Sequence, residues 1–375
     1  MIIATPRHTA ALFVPDSASK PRRRARAPLC RHDTFSLSAP ARFVVALFAI
    51  VALSLVGPVP AFAVDAKRKL EKIVGANACA ECHKDEAAVW KGTHHFTTFR
   101  QMPRSKEARA IAAKLKIKRI KSDALCTGCH FTQTKVKKRI KVTSGISCES
   151  CHGAGKDWEK LHSEFSGKGS KEAESKAEAA ARWKGSEARG MIRPAALYKI
   201  AKNCYGCHVV PREKLVNVGG HPAGSPFELV SWSQGEVRHN VWYTKGKSNA
   251  KATSNRRRMM YIVGLAVELE TALRAIAVAT KKKDYAIRMA HRANDARNKV
   301  AAVASALSKY PEFGNLVRLS HTAGLKLNNK KALTAAADKI ATEALRIVAK
   351  HDGSNFGAVD KLMPPPSAYK GEPAK

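Results

Sequence analysis

Cys148-Glu149-Ser150-Cys151-His152-Gly153-Ala154-Gly155 is the stretch on which the reading of this chain turns. Two cysteines three positions apart, followed at once by histidine, form the pattern that attaches a c-type haem: two sulfurs give thioether bonds and the imidazole binds iron. The same spacing recurs at Cys79/Cys82/His83, Cys126/Cys129/His130 and Cys204/Cys207/His208. Eight of the nine cysteines are used in this way and only Cys30 is left over, so no pair remains for a structural disulfide. The reading is four covalently bound haem c groups, each with its iron.

Four Cys-x-x-Cys pairs could instead build two tetrathiolate zinc sites. The residue after the second cysteine separates the two readings. Histidine is 14 of the 375 residues, and its presence after all four pairs by chance has a probability on the order of one in a million. A thioredoxin-like redox motif is set aside because no βαβ pattern surrounds any copy.

Only 6% of the residues are aromatic, so the haems must supply much of the apolar core. The formal charge of +37 suits nucleic acid, an anionic membrane surface or acidic proteins. No groove-reading motif occurs, which sets nucleic acid aside. A cationic surface fits steering toward redox proteins that are acidic at the docking face, with the membrane surface as a second partner class.

Residues 1–63 read as a signal peptide with an extended basic leader. Arg22, Arg23, Arg24, Arg26, Arg31 and Arg42 precede the apolar run from Phe43 to Gly57, followed by Pro58, Pro60 and the small-residue site Ala61-Phe62-Ala63. Export to a bacterial periplasm follows, and Cys30 is discarded with the leader. The competing reading is an uncleaved, membrane-associated form, since apolar character persists from Phe43 to Val64, nearly enough to span a bilayer.

A tetrahaem cytochrome c domain is expected over 64–250. A six-coordinate haem needs a second axial ligand, usually histidine. After residue 63, the histidines outside the motifs are His94, His95, His162, His221, His239, His291, His321 and His351. His94 and His95 follow a short helical run from Lys84 to Trp90; neighbours on a helix point about 100° apart, so only one of them reaches a given iron. His162 follows Trp158 within a helical turn or so. His221 sits in the glycine loop Gly219-Gly220-His221-Pro222-Ala223-Gly224 and His239 beside Trp242 and Tyr243; either could complete a haem. Pro103 to Ile120 reads as a solvent-facing helix delivering Cys126, Lys135 to Ser144 as a strand or hairpin, and Gly167 to Gly190 as a solvated helix or insertion without chemistry.

From Arg256 onward three apolar stripes appear: Ile262, Leu265, Ala266, Leu269, Leu273, Ile276; then Met289, Ala293, Ala296, Val300, Val303, Leu307; then Leu333, Ala337, Ile340, Ala344, Ile347. They predict an antiparallel helical bundle over 251–353, with Lys281 to Asp284 and Tyr310-Pro311 as connections and 354–375 as a flexible tail. The fold class is mainly α: a multihaem cytochrome c domain with little β structure, followed by that bundle.

The first motif continues Cys-x-x-Cys-His-Lys to Trp90-Lys91-x-Thr93-x-His95, and the third reads Cys-Glu-Ser-Cys-His-Gly-Ala-Gly. In these features the chain resembles the tetrahaem cytochrome c-554 family, electron carriers associated with hydroxylamine oxidation. The resemblance covers roughly Lys67 to Tyr243. It implies that His162 completes haem one, His95 haem three and a histidine beyond the last motif, most readily His239, haem four. In the family haem two lacks a distal histidine; this sequence departs by offering His221. The function implied is electron transfer between redox partners through closely spaced haems. The alternative is a haem enzyme acting on a small nitrogen or sulfur oxyanion at one open iron.

Overall fold

The computed structural model describes residues 70–372. The leader, its apolar run, the cleavage site after Ala63 and Cys30 lie outside the described residues. Among the described residues the fold is mainly helical, with one two-stranded sheet, and no helix is long and apolar enough to cross a membrane.

The first half is built of short helices: α1 (Ala76–Cys82), α2 (Lys84–Lys91), α3 (His94–Gln101), α4 (Lys106–Lys114) and α5 (Ala124–His130). Then come strands β1 (Thr132–Val136) and β2 (Arg139–Ser144), and α6 (Cys148–His152), α7 (Glu159–Ser163), α8 (Lys176–Ala188) and α9 (Leu197–His208). Helices of five to eight residues are marginal alone, so local ties fix them. The Thr93 hydroxyl accepts from Phe96 N at the start of α3, Ser105 from Ala108 N at α4, and Asp123 from Leu125 N at α5. The expected helix from Pro103 to Ile120 is shorter than the periodicity implies: α4 stops at Lys114, and Lys116 adopts φ 57°, which a helix cannot continue through. The strand reading holds as an antiparallel hairpin with Val136 opposite Arg139.

After α10 (Glu213–Asn217) and α11 (Leu229–Ser233), four longer helices follow: α12 (Ser254–Ala277), α13 (Asp284–Ala306), α14 (Pro311–Ser320) and α15 (Lys330–Lys350). Every residue of the three apolar stripes is buried. Helix α12 is buried almost all round from Tyr261 to Ala277 because α9, α11, α13 and α15 pack against it. Its acids are paired: Glu268 with Arg292, and Glu270 with Lys202, Arg274 and the Tyr198 hydroxyl. Since Tyr198 and Lys202 belong to α9, which ends in the fourth motif, one core runs across residue 250.

Two expectations are corrected. Tyr310-Pro311 is the start of α14, with proline at the first helical turn where its missing N–H costs nothing, and Phe313 and Leu316 in the core. The stretch after 353 is not a loose tail as far as it is described: Phe356 and Val359 are buried, Asp360 receives the Arg258 guanidinium, and Lys370 bonds Ser231 and Glu236 through the backbone.

Candidate functional site

Each Cys-x-x-Cys-His motif lies on or at the end of a helix: α1 with His83 as its cap, then α5, α6 and α9. On a helical turn, residues three apart share a face, so both cysteines of each motif are presented together. Cys126 is buried, Cys82 is exposed, and Cys79, Cys129, Cys148, Cys151, Cys204 and Cys207 are half-buried.

Cys129 and Cys207, expected from the sequence as the second thioether positions of their motifs, stand in the last turns of α5 and α9. Cys129 lies close enough to Cys126 to help burial and Asp123 push that thiol up to about 11. Cys207 stands in the last turn of α9, where its carbonyl accepts from Val210 N at 3.1 Å as the chain leaves the helix through Val210 at φ 54°.

Each motif histidine faces a second histidine from elsewhere. His83 and His162 have ring centres 6.2 Å apart with planes at 15°. His130 and His221 are 6.2 Å apart at 51°. His152 and His239 are 6.1 Å apart at 90°, and His208 and His95 are 6.4 Å apart at 51°.

Two imidazoles on opposite sides of one metal, with metal–nitrogen bonds of about 2 Å, place their ring centres about 6 Å apart. The four pairs have that spacing. The tautomers also fit: a ligating histidine normally donates its other ring N–H to an oxygen. His152 Nδ1 bonds Ile192 O at 2.9 Å, His162 Nδ1 bonds Glu159 O, His221 Nδ1 bonds Pro222 O at 2.8 Å, His239 Nδ1 bonds Val237 O at 2.7 Å and His208 Nδ1 bonds the Ser225 hydroxyl at 3.1 Å. Each leaves the Nε2 lone pair for a metal. Burial favours the neutral, ligating form: it pushes His130 and His208 down to about 4, and His95, His152 and His162 below the usual imidazole value. The donor set fits haem iron with two imidazoles at each of four positions.

The choice between His94 and His95 is also visible. The His94 ring is 85% exposed and its Nδ1 bonds Glu236 at 2.7 Å, whereas His95 faces His208. The pairing differs from the one the resemblance implies. His162 stands opposite the first motif as expected, but His95 stands opposite the fourth and His239 opposite the third, an exchange of partners. His221 stands opposite the second. His291 and His321 are exposed, and His351 is bonded to Glu312 inside the bundle.

The motifs are neighbours in an order that differs from the sequence. The Cys79 thiol is within hydrogen-bonding reach of Cys148 Sγ, joining the first motif to the third. Cys151 lies close enough to Cys204 to raise its thiol, and Asn203 Nδ2 donates to Cys151 O at 2.9 Å, joining third to fourth. His95 and His130 both lie near His208, joining fourth to second. The second motif also meets the third through the chain, where Thr132 Oγ1 bonds both Ser147 Oγ and Ser150 Oγ at 3.0 Å.

Several supporting residues carry no sequence signal of their own. Glu149, buried in the middle of the third motif, accepts from Val74 N, Gly75 N and Gly155 N at 3.0, 2.7 and 2.7 Å, and so ties that motif to the start of α1. Gly153, at φ 87°, passes so close to Gly190 that a Cβ would lie 2.2 Å from its carbonyl oxygen; that approach lets Ile192 bond His152 through both backbone and ring. The stretch 167–190, read as solvated and without chemistry, holds a buried pair instead: Arg182 grips Glu174 through two bonds of 2.6 Å and donates to His162 O at 2.6 Å. Arg292 donates to Ser225 O at 2.7 Å while Ser225 holds His208. A charge surrounded by alanine and lysine on the chain gives no warning of such contacts.

Paired cysteines, motif histidines and opposed imidazoles define a c-type cytochrome, with covalently bound haem c. Residues 78–153 match the family described as cytochrome c554 and c-prime. Cytochrome c-554 of Nitrosomonas europaea is 32% identical over 96 residues, which are 24% of this chain and 41% of that protein. The chain is thus similar to the cytochrome c-554 family over this segment, and the match spans about two fifths of the length of that relative. No solved structure matches the chain.

Proposed function

We propose that this protein is an exported tetrahaem cytochrome that passes electrons between redox proteins, meeting them through a cationic surface. The observation that carries the reading is the set of four opposed histidine pairs at 6.1–6.4 Å, one for each attachment motif. Cys79/Cys82, Cys126/Cys129, Cys148/Cys151 and Cys204/Cys207 would hold the porphyrins, and His83/His162, His130/His221, His152/His239 and His208/His95 the irons. Haem c bound there supplies one-electron oxidation and reduction at iron. The residues do the rest by position. Two imidazoles per site keep water and small ligands from the metal, the Nδ1 bonds fix the rings, and burial keeps them neutral.

The basic leader, the apolar run and the Ala61-Phe62-Ala63 site support export to the periplasm, which agrees with haem attachment outside the cytoplasm. Electron paramagnetic resonance of the oxidised protein, together with its intact mass, tests the reading. Four low-spin irons and a mass increment of four haems are expected. A high-spin signal, or binding of cyanide or nitric oxide, would move the function to an enzyme with an open iron.

A further inference from the structure

Charge is unevenly spread around the histidine pairs. Next to His83 along the chain the acids Glu81, Asp85 and Glu86 offset Lys84, with Glu86 Oε2 3.6 Å from the His83 ring. Around the His130–His221 pair the balance is different. From Lys114 to Lys121 the chain carries Lys114, Lys116, Lys118, Arg119 and Lys121 with no acid between them.

This cationic segment is held against that pair. A Cβ on Gly219 would meet Leu115 at 2.8 Å and Ile111 at 3.2 Å, and one on Gly220 would meet Lys114 Nζ at 3.2 Å, so the end of α4 lies on the loop that carries His221. On the other side the Lys121 ammonium sits 3.4 Å over Phe99 and 5.8 Å from Phe131, the buried residue directly after His130. Lys114, Lys116, Lys118 and Arg119 are exposed and make no ion pair among the described residues. Beside them the same loop offers an apolar spot, Val218 at 54% exposure with the exposed Pro222.

We infer that this face, the Val218–Pro222 spot rimmed by Lys114, Lys116, Lys118 and Arg119, is the docking surface for a redox protein that is acidic around its own cofactor. The inference rests on the electron-transfer reading and adds where the partner sits. Unpaired like charges raise the local potential and steer an oppositely charged partner. A small apolar centre within a charged rim suits the short-lived contacts of redox proteins, which bury little area. The position matters as much as the charge, because the partner is brought against one end of the series of neighbouring sites. A membrane surface would take the same cations but has no use for their placement over one histidine pair.

The test uses the complete haem-loaded protein and a reduced flavodoxin with a carboxylate-rich face as probe. Zero-length carbodiimide cross-links, located by mass spectrometry, are expected at Lys114, Lys116 and Lys118. The variant Lys114→Glu/Lys116→Glu/Lys118→Glu should lose about tenfold or more in the second-order rate of electron transfer at low salt. A control with the same charge change along and just after α8, Lys176→Glu/Lys184→Glu/Arg189→Glu, should lose far less. Cross-links elsewhere, or equal losses in both variants, would overturn the assignment. So would loss of binding to phosphatidylglycerol vesicles with the flavodoxin rate unchanged, which would make the face a membrane contact. Low-spin counts on the same samples report the ligand reading separately: they can fail with the cross-links in place, and the cross-links can fail with all four irons low spin.

Discussion

His221 is the residue on which the second site depends. Its ring is held by the bond to Pro222 O and faces His130, so His221→Ala should convert one iron from low to high spin and open it to cyanide, leaving the other three unchanged. The exchange of His95 and His239 has its own test. His95→Ala combined with His208→Ala removes both ligands of one site and should cost one low-spin signal. His95→Ala combined with His152→Ala should cost two, and the reverse result would restore the pairing that the family resemblance implies. The ring angles add a spectroscopic signature. Bound to haem iron, the near-parallel imidazoles at His83/His162 would give a rhombic low-spin signal and the 90° planes at His152/His239 a strongly axial one. The proposed attachment residues, Cys129 and Cys207 among them, can be picked out in the sequence because the chemistry assigned to them is local, within five positions. The pairing is not, because it depends on how α3 and the loops after α9 cross the cluster.

At the scale of elements, short helices stand because side chains far along the chain tie them. Glu149→Ala would leave the N–H groups of Val74, Gly75 and the buried Gly155 without their acceptor and should cost ~1 to 3 kcal/mol in guanidinium unfolding followed by far-ultraviolet circular dichroism. The Arg182–Glu174 pair does the same for α7. The Arg182 guanidinium holds the Glu174 carboxyl down to about 2, below its ordinary value near 4. A depressed carboxyl stabilises the fold above the unfolded value and loses that contribution as pH falls toward the folded one. The α7–α8 region should therefore loosen between about pH 4 and about 2, seen as faster amide exchange there, and Glu174→Gln should show the loosening already at neutral pH. The helical stripes of the bundle can be read directly, since a 3.6-residue period needs no partner to be recognised. Helix α14 escapes notice because ten residues opening on proline look like a connection.

For the whole molecule, the bundle and the haem region are joined by chemistry as well as by packing. Glu268 on α12 holds Arg292 on α13, Arg292 holds Ser225, and Ser225 holds the ring of His208. Arg292→Met should shift the reduction potential of the site at the fourth motif, measured by spectroelectrochemistry, with Arg292→Lys restoring part of it. The order in which the motifs touch also bears on how the protein is made. In the folded chain the Cys79 and Cys148 sulfurs lie within reach of each other. In an oxidising compartment, a chain that folds before its porphyrins are attached would close a wrong bridge between the first and third motifs. Under the proposed export, maturation would be a race between attachment and oxidation, and protein produced under haem starvation should accumulate a Cys79–Cys148 cross-link, visible in non-reducing peptide maps and absent from the mature form.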